Sequence, residues 1–343
     1  MEHMPVSVVI PTYNRANLIP RAVCSALAAT RSGDEIIVID DGSTDNTQEV
    51  LAPYLSRIRY VRIPNGGAGT ARNRGIKEAQ YPLIAFLDSD DEWMPWKLEL
   101  QRSVMQAYPN VVFTFSDFSV RDIDGRAYPN YLINWHHDHR SWDEILGPGT
   151  PFSSITNLPQ DCPDFQVHLG DLYFPLMRTN YAITSSVVAN KQLAGSALQF
   201  GAEFKIHEDW VCFGQMARRG PVAYLNCDTI WQHGHTGPRV SDAGVLQRQE
   251  DGITILERLW GSDRDFLAQH AEGYHEELKI QRIDKAKTLI AMGRLEEARR
   301  EFCLIEGGPL FYRMLAYLPT RVVCQVLKYR RVLNGASRAN SSS

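Results

Sequence analysis

Four short apolar runs in the first hundred residues, three of them ending in a polar cluster, constrain this chain more than any other feature. Val6–Ile10 leads through Pro11 into Thr12-Tyr13-Asn14, and Glu35–Ile39 leads into Asp40-Asp41-Gly42-Ser43. Ile58–Ile63 is the third run, and Leu83–Leu87 leads into Asp88-Ser89-Asp90-Asp91. Between them, Asn17–Ala29 (with Leu18, Ala22 and Leu27), Asn46–Leu55 and Gly69–Ala79 carry helical patterns. A strand that is apolar on both faces must be covered on both faces. Strands alternating with helices therefore predict βαβ units and a largely parallel sheet. Ligands of such sheets bind beyond the carboxyl ends of the strands, and the three polar clusters stand there.

The rest of the chain is read more coarsely. A helix through Trp96–Ala107 and a fifth strand at Val111–Phe115 follow. Residues 120–180, rich in Pro, Asp, His and aromatics, predict long loops with short helices. A strand at Ser185–Val188, a helix at Asp209–Arg219 and a strand at Val222–Leu225 come next. From about residue 244 the pattern is helical. The stretch AKTLIAMGRLEEARREF within Ile283–Phe302 resembles half of a tetratricopeptide-type hairpin, and a single unit predicts a packed helix pair, not an array. The ends, Met1–Met4 and Asn340–Ser343, are expected to be disordered.

Composition excludes some partners. A formal net charge of -4 over 343 residues gives no electrostatic ground for binding nucleic acid. Six scattered cysteines (Cys24, Cys162, Cys212, Cys227, Cys303, Cys324) form no C-x-x-C pair and read as mostly buried thiols of a reducing compartment. The N-terminus lacks a signal-peptide pattern, and no stretch approaches the ~18 continuous apolar residues of a membrane span. The expectation is a cytoplasmic protein. From Gly307 to Ser343 there is no acidic residue, while Arg313, Arg321, Lys328, Arg330, Arg331 and Arg338 are basic among apolar neighbours. Such a tail either lies on an anionic bilayer, here the inner face of the plasma membrane, or packs on the protein with a solvated basic face.

Several clusters carry chemistry. Asp40 and Asp41 suit hydrogen bonds from a base or ribose hydroxyls, although Gly42 for the turn and Ser43 or Asp45 as a helix cap would also explain the cluster. Asp88 and Asp90, one residue apart at a strand end, suit a hard cation such as Mg²⁺ or Mn²⁺, or else an acidic start to the next helix. Gly66-Gly67-Ala68-Gly69 offers N–H groups to an anion near Arg72, without a phosphate-loop pattern. Glu208-Asp209 offers a base or a favourable start for a helix dipole. His233 and His235 are candidate ligands in a late loop. His136-His137-Asp138-His139 lacks zinc spacing and reads as a solvated loop. Its neighbours Tyr131, Trp135 and Trp142 would stack on a ligand ring or pack the loop.

In order and spacing, VSVVIPTYNR, IIVIDDGSTDNT, NGGAGTARNRGI and LIAFLDSDDEWMPWKL resemble the signature of glycosyltransferase family 2. The resemblance is close over residues 5–105 and looser to about 241. It implies a GT-A fold: an α/β, Rossmann-like mixed or parallel sheet flanked by helices. Residues 1–115 would form the nucleotide-sugar half, 116–241 the acceptor-binding and catalytic half, and 242–343 a helical C-terminal region. By resemblance, Pro11 and Tyr13 form the floor and wall of the base site. Asp41 contacts the base, and Arg72 lies on that side. Asp88 and Asp90 are the ends of the D-x-D motif, Asp90 on the metal and Asp88 toward the ribose or a metal-bound water. The segment Glu208-Asp209-Trp210 matches the family's E-D-W, which makes Asp209 the general base of an inverting transfer, with Glu208 on the donor side. His235 completes the metal or diphosphate site and Arg239 reaches the phosphates. The implied cofactor is Mn²⁺ or Mg²⁺, the donor a nucleotide sugar (UDP by family habit), and the acceptor a carbohydrate or lipid-linked glycan of a bacterial surface. Two rival readings remain. A sugar-phosphate nucleotidyltransferase would need a G-x-G-T-R-like loop where PTYNR stands. A non-catalytic sugar- or nucleotide-binding protein would have no need of Asp90, Asp209 and His235 together.

Overall fold

The computed structural model describes residues 4–136, 138–159, 162–236, 244–307, 309–319 and 321–323. The chain divides into two compact units, Met1–Pro238 and Arg239–Ser343.

The first unit is built on one sheet, with eleven strands among the described residues: β1 (Val6–Thr12), β2 (Glu35–Asp40), β3 (Arg59–Arg62), β4 (Leu83–Phe86), β5 (Asp91–Trp93), β6 (Phe113–Arg121), β7 (Ala127–Tyr128), β8 (Thr150–Pro151), β9 (Gln166–Gly170), β10 (Val188–Asn190) and β11 (Val222–His233). Their order is β3-β2-β1-β4-β10-β6-β11-β9-β8, with β5 paired to β11 and β7 to β6. The run β3-β2-β1-β4 is parallel. β10 is antiparallel to both β4 and β6, and β6 is parallel to β11. The carboxyl ends of β1, β2, β4, β6 and β11 therefore share one edge of a mixed sheet. Val8 to Ile10 and Leu83 to Leu87 are fully buried, as two-sided cover requires. The Ala68–Glu78 helix sits hard on β1, since a Cβ at Gly75 would come within 2.2 Å of Val9 Cγ1.

Several elements differ from expectation. β6 and β11 run well past the apolar segments Val111–Phe115 and Val222–Leu225. Their polar ends pair with each other across two register shifts, so partner hydrogen bonding, not apolarity, extends them. Asp91–Trp93 does not open a helix: it pairs with β11, and Pro95 delays the helix to Lys97. Thr184–Ser186 is a 3₁₀ turn, with the strand beginning at Val188. The segment read as loops holds β9, whose Val167 packs with Leu100, Phe152, Phe165 and Leu225. The helix expected at Asn46–Leu55 is split into Thr47–Leu51 and a 3₁₀ turn over Ala52–Tyr54. Five cysteines are free thiols, but Cys24 and Cys303 are exposed, so burial is less general than expected; Cys324 lies outside the described residues.

The second unit is helical: Val245–Ile255, Arg264–Ala291, Leu295–Cys303 and Leu310–Leu315, with a wide turn at Leu256–Trp260. The helix pair read from the sequence is packed through Ala286, Leu289, Ile290, Leu295, Ala298 and Phe302. Arg282 and Lys285 both pair with Glu301, each at 2.8 Å. Among the described residues no helix is long and apolar enough to cross a membrane. Met1–His3 and Cys324–Ser343, most of the basic tail, lie outside the described residues.

Candidate active site

The loops after β1 and β2 are locked side by side. Asn14, in the left-handed region with φ 51°, accepts from the Thr44 amide at 2.7 Å and donates its own amide to Ser43 Oγ at 3.0 Å. Asp45 accepts from the Ala16 amide and from both Thr47 donors just ahead of the short helix, whose N-cap position is Asn46 and not the Ser43 or Asp45 read from the sequence. Pro11 is buried at this edge and Tyr13 is 46 % exposed.

Asp41 is almost fully buried and accepts from the amides of Gly66 and Gly67, each at 2.8 Å. The anion served by the glycine-rich lead is thus the chain's own carboxylate. Gly67 reaches this position with φ +87°, a conformation that side-chain-bearing residues resist. Burial pushes the Asp41 carboxyl up, against the pull of those two amides.

Arg72 is the buried cation of the site. Nη2 donates to Asp88 Oδ1 and Nη1 to Glu208 Oε1, both at 2.6 Å, and the guanidinium lies 5.2 Å from the Phe200 ring centre. It therefore ties the end of β4 to the helix Glu208–Ala217. Asn73 and Phe200 reinforce that tie with two bonds, at 2.9 and 2.8 Å. Two carboxylates sharing one guanidinium satisfy charge with fork geometry, which a lysine would not match.

Asp209 stands in the first turn of that helix. Its Oδ2 accepts from Asn180 Nδ2 at 3.2 Å and Thr184 Oγ1 at 3.4 Å, and its Oδ1 from the Trp210 amide at 2.7 Å. Burial, with the neighbouring Glu208 charge, pushes its carboxyl up to about 7, opposed by Arg72 and the Trp210 amide. A carboxylate poised there can exchange a proton near neutral pH.

Asp88 and Asp90 diverge. Asp88 turns to Arg72, while its amide donates to Ser185 Oγ at 3.0 Å. Asp90 Oδ2 lies 2.9 Å from His235 Nε2 and 3.9 Å from Arg15 Nη2, and its carbonyl accepts from Arg21 at 2.6 Å. His235 Nδ1 is buried without a hydrogen-bond partner among the described residues. His233 instead meets Glu92 at 2.8 Å, and burial lowers its pKa. No group of three or more His, Cys, Asp or Glu side chains placed to hold a metal occurs among the described residues. The Asp90–His235 pair offers one carboxylate and one imidazole, donor types that suit a hard cation completing its shell with other ligands. Arg239 and His137 lie outside the described residues.

The His136–His139 segment is not a solvated loop throughout. His136 is buried, and Asp138 is held by Arg140 at 2.7 Å and by the Tyr181 hydroxyl. Trp142 stacks on Tyr224 with ring centres 3.8 Å apart, so it packs the fold and is not free for a sugar ring. Sequence reasoning missed Arg15, Arg21, Asn180, Thr184 and Ser185. Arg15 and Arg21 could have been suspected from their place beside the PTYN cluster. Asn180 and Thr184 come from a weakly patterned segment, and Ser185 stood only as the start of an expected strand, with no signal of a site.

Residues 7–162 match the family model described as glycosyl transferase family 2. The chain is 44% identical over 110 residues to the uncharacterized glycosyltransferase RC0461 of Rickettsia conorii, an alignment covering 32% of this chain and 18% of that protein. It is 39% identical over 123 residues to WfgD of Escherichia coli, described as a UDP-Glc:alpha-D-GlcNAc-diphosphoundecaprenol beta-1,3-glucosyltransferase, covering 35% of this chain and 48% of WfgD. The chain thus spans less than half the length of these two curated relatives. In fold it resembles residues 1-349 of S. aureus TarS in complex with UDP-GlcNAc, with a TM-score of 0.56, 16% identity and coverage of 87% of this chain and 88% of that one. The mixed sheet flanked by helices is GT-A-like.

Proposed function

We propose that this chain, which carries a family 2 glycosyltransferase domain, moves a sugar from a nucleoside-diphosphate donor to a hydroxyl acceptor with inversion. One observation carries the reading. A buried acid cradled by two glycine amides, an Asp–His pair and a carboxylate titrating near neutrality line up along one sheet edge. Pro11, Tyr13 and Asp41 would receive the base, Asp41 Oδ1 keeping a lone pair beyond its Gly66 bond while Oδ2 accepts from both Gly67 and Asn65 Nδ2. Asp90 and His235 would hold Mn²⁺ or Mg²⁺, which when bound offsets the negative charge of the leaving diphosphate. Arg15, 3.9 Å from Asp90, adds fixed positive charge there. Arg239 is assigned to the phosphates by its sequence position alone.

Asp209 takes the proton of the acceptor hydroxyl as its oxygen attacks the anomeric carbon. The bond to the diphosphate breaks on the opposite face, so one displacement inverts the centre without a covalent intermediate. Asn180 and Thr184 hold Oδ2 in place. The donor named for WfgD and the UDP-GlcNAc complex of TarS support a UDP-sugar donor here. The acceptor named for WfgD supports a lipid-linked glycan of a bacterial surface. The test is UDP release from a panel of UDP-sugars with candidate acceptors. One donor should be consumed with inverted anomeric configuration, chelation should stop the reaction, and Mn²⁺ should restore it. Turnover indifferent to chelation would remove the metal from the account.

A bilayer partner belongs to the same proposal. Leu310, Met314 and Tyr317 are 71%, 62% and 70% exposed beside Arg313, and the acid-free stretch continues to the last residue. An apolar face flanked by cations suits an anionic lipid surface. The protein is expected to sediment with vesicles of phosphatidylcholine and phosphatidylglycerol, less so in high salt, and not with phosphatidylcholine alone. Recovery in the supernatant with both vesicles would sink this contact.

A further inference from the structure

Three consecutive buried residues, Thr184, Ser185 and Ser186, connect parts of the site that come from distant stretches of the chain. Thr184 Oγ1 donates to Asp209 Oδ2 at 3.4 Å. Ser185 Oγ accepts from the Asp88 amide at 3.0 Å and donates to Asp91 Oδ2 at 2.5 Å, while its carbonyl accepts from Trp93 Nε1 at 2.9 Å. The Ser186 carbonyl accepts from Gln101 Nε2 at 2.7 Å and Lys97 Nζ at 3.1 Å.

Lys97 is unusual in this arrangement. It is fully buried, and its amino group meets Gln101 Oε1, the Ser186 carbonyl and the Trp93 ring at 4.8 Å, with no carboxylate partner among the described residues, so burial lowers its pKa well below the ordinary lysine value. Burying such a group without a counter-ion is costly unless its hydrogen bonds are satisfied. Lys97 and Gln101 bond each other and both donate to the carbonyl of Ser186, the last residue of the turn.

We propose that the Thr184–Ser186 turn, anchored by Lys97 and Gln101, is a positioning element that sets the donor-side loop Asp88–Asp91 and the base Asp209 relative to each other. The inference rests on the glycosyltransferase reading and deepens it. The Ser185 hydroxyl fixes where the donor loop leaves β4, and the Thr184 hydroxyl fixes which Asp209 oxygen is tied down. Because adjacent residues of one rigid turn make both contacts, a displacement of one would be carried to the other. Misplacing a reacting group by a fraction of an ångström is enough to slow a bimolecular displacement.

The two hydroxyls should separate in kinetics. Thr184→Val, close in shape, is expected to lower kcat about tenfold at saturating donor, the effect of one charge-assisted hydrogen bond, with UDP affinity and Tm unchanged. Thr184→Ser keeps the hydroxyl and should recover the rate. Ser185→Ala is expected to weaken UDP binding about tenfold while kcat at saturation falls less, with Ser185→Thr as the rescue. Lys97→Met should show both losses, and if it fails to fold the serine and threonine variants still decide the matter. The proposal is overturned if Thr184→Val and Ser185→Ala keep wild-type kcat and UDP affinity, or lose both in parallel with Tm. Those outcomes require an active wild type; a wild type that neither binds UDP nor consumes a UDP-sugar sinks the glycosyltransferase reading itself and this inference with it.

Discussion

Replacing Asp209 by Asn will abolish glycosyl transfer and leave nucleotide binding intact. The amide keeps the shape of the carboxylate, and its one oxygen can still accept from Asn180 and Thr184, at the loss of the bond that the Trp210 amide makes to Oδ1. It cannot take a proton from an acceptor hydroxyl. General-base contributions of ~10²–10⁴-fold set the expected loss, and turnover should fall by about three orders of magnitude. The same carboxyl dictates the pH profile. With its pKa pushed up to about 7 by burial, Asp209 is protonated and idle in acid, so kcat should rise with pH through neutrality and level off above it. The stability effect has the opposite sign. A carboxyl easier to protonate folded than unfolded stabilises the fold below its unfolded value of 3.8, and that contribution is lost as pH rises toward 7. Asn removes this pH dependence, so the Tm difference between variant and wild type should move in the variant's favour as pH rises from 3.8 toward 7. A wild-type rate in the variant would take Asp209 out of the mechanism.

The parallel half of the sheet was legible because β1, β2 and β4 are apolar on both faces and each breaks abruptly into polar residues. Where strands end in polar sequence, legibility fails. The outer halves of β6 and β11 exist because they pair with each other, and no single-strand pattern announces that. The site divides in the same way. Asp41, Asp90, Asp209 and His235 stand in local motifs and could be named from them. Their partners could not. Gly66 and Gly67 looked like donors for an external anion, but their amides are taken by Asp41. Asp88 and Asp90 look equivalent in sequence, yet a buried guanidinium claims one and an imidazole meets the other. Thr184 and Ser185 lie about a hundred residues beyond the loop that Ser185 holds, in a stretch with no motif of its own.

The second large effect is expected at Asp90. Its carboxylate already lies 2.9 Å from His235 Nε2, so one side chain would supply the charge and the other a neutral nitrogen to a shared cation. Arg21 holds the Asp90 carbonyl and Arg15 approaches its carboxylate, so the loop is oriented before any ligand arrives. Asp90→Ala removes the charged ligand without touching Asp41 or Arg72. Metal-supported UDP affinity should fall by at least about a hundredfold, since losing only the partner behind a metal ligand already costs ~10–100-fold. His235→Ala should fall short of that, because it leaves the charge in place.

The most direct measurement is calorimetric titration of the wild type and Asp90→Ala with UDP, GDP, TDP and CDP, each with and without Mn²⁺. The account predicts that UDP binds the wild type tightly only with Mn²⁺, and that this gain disappears in Asp90→Ala. If none of the four diphosphates binds the wild type under either condition, the strand-end site does not take a nucleotide and the glycosyltransferase account is contradicted.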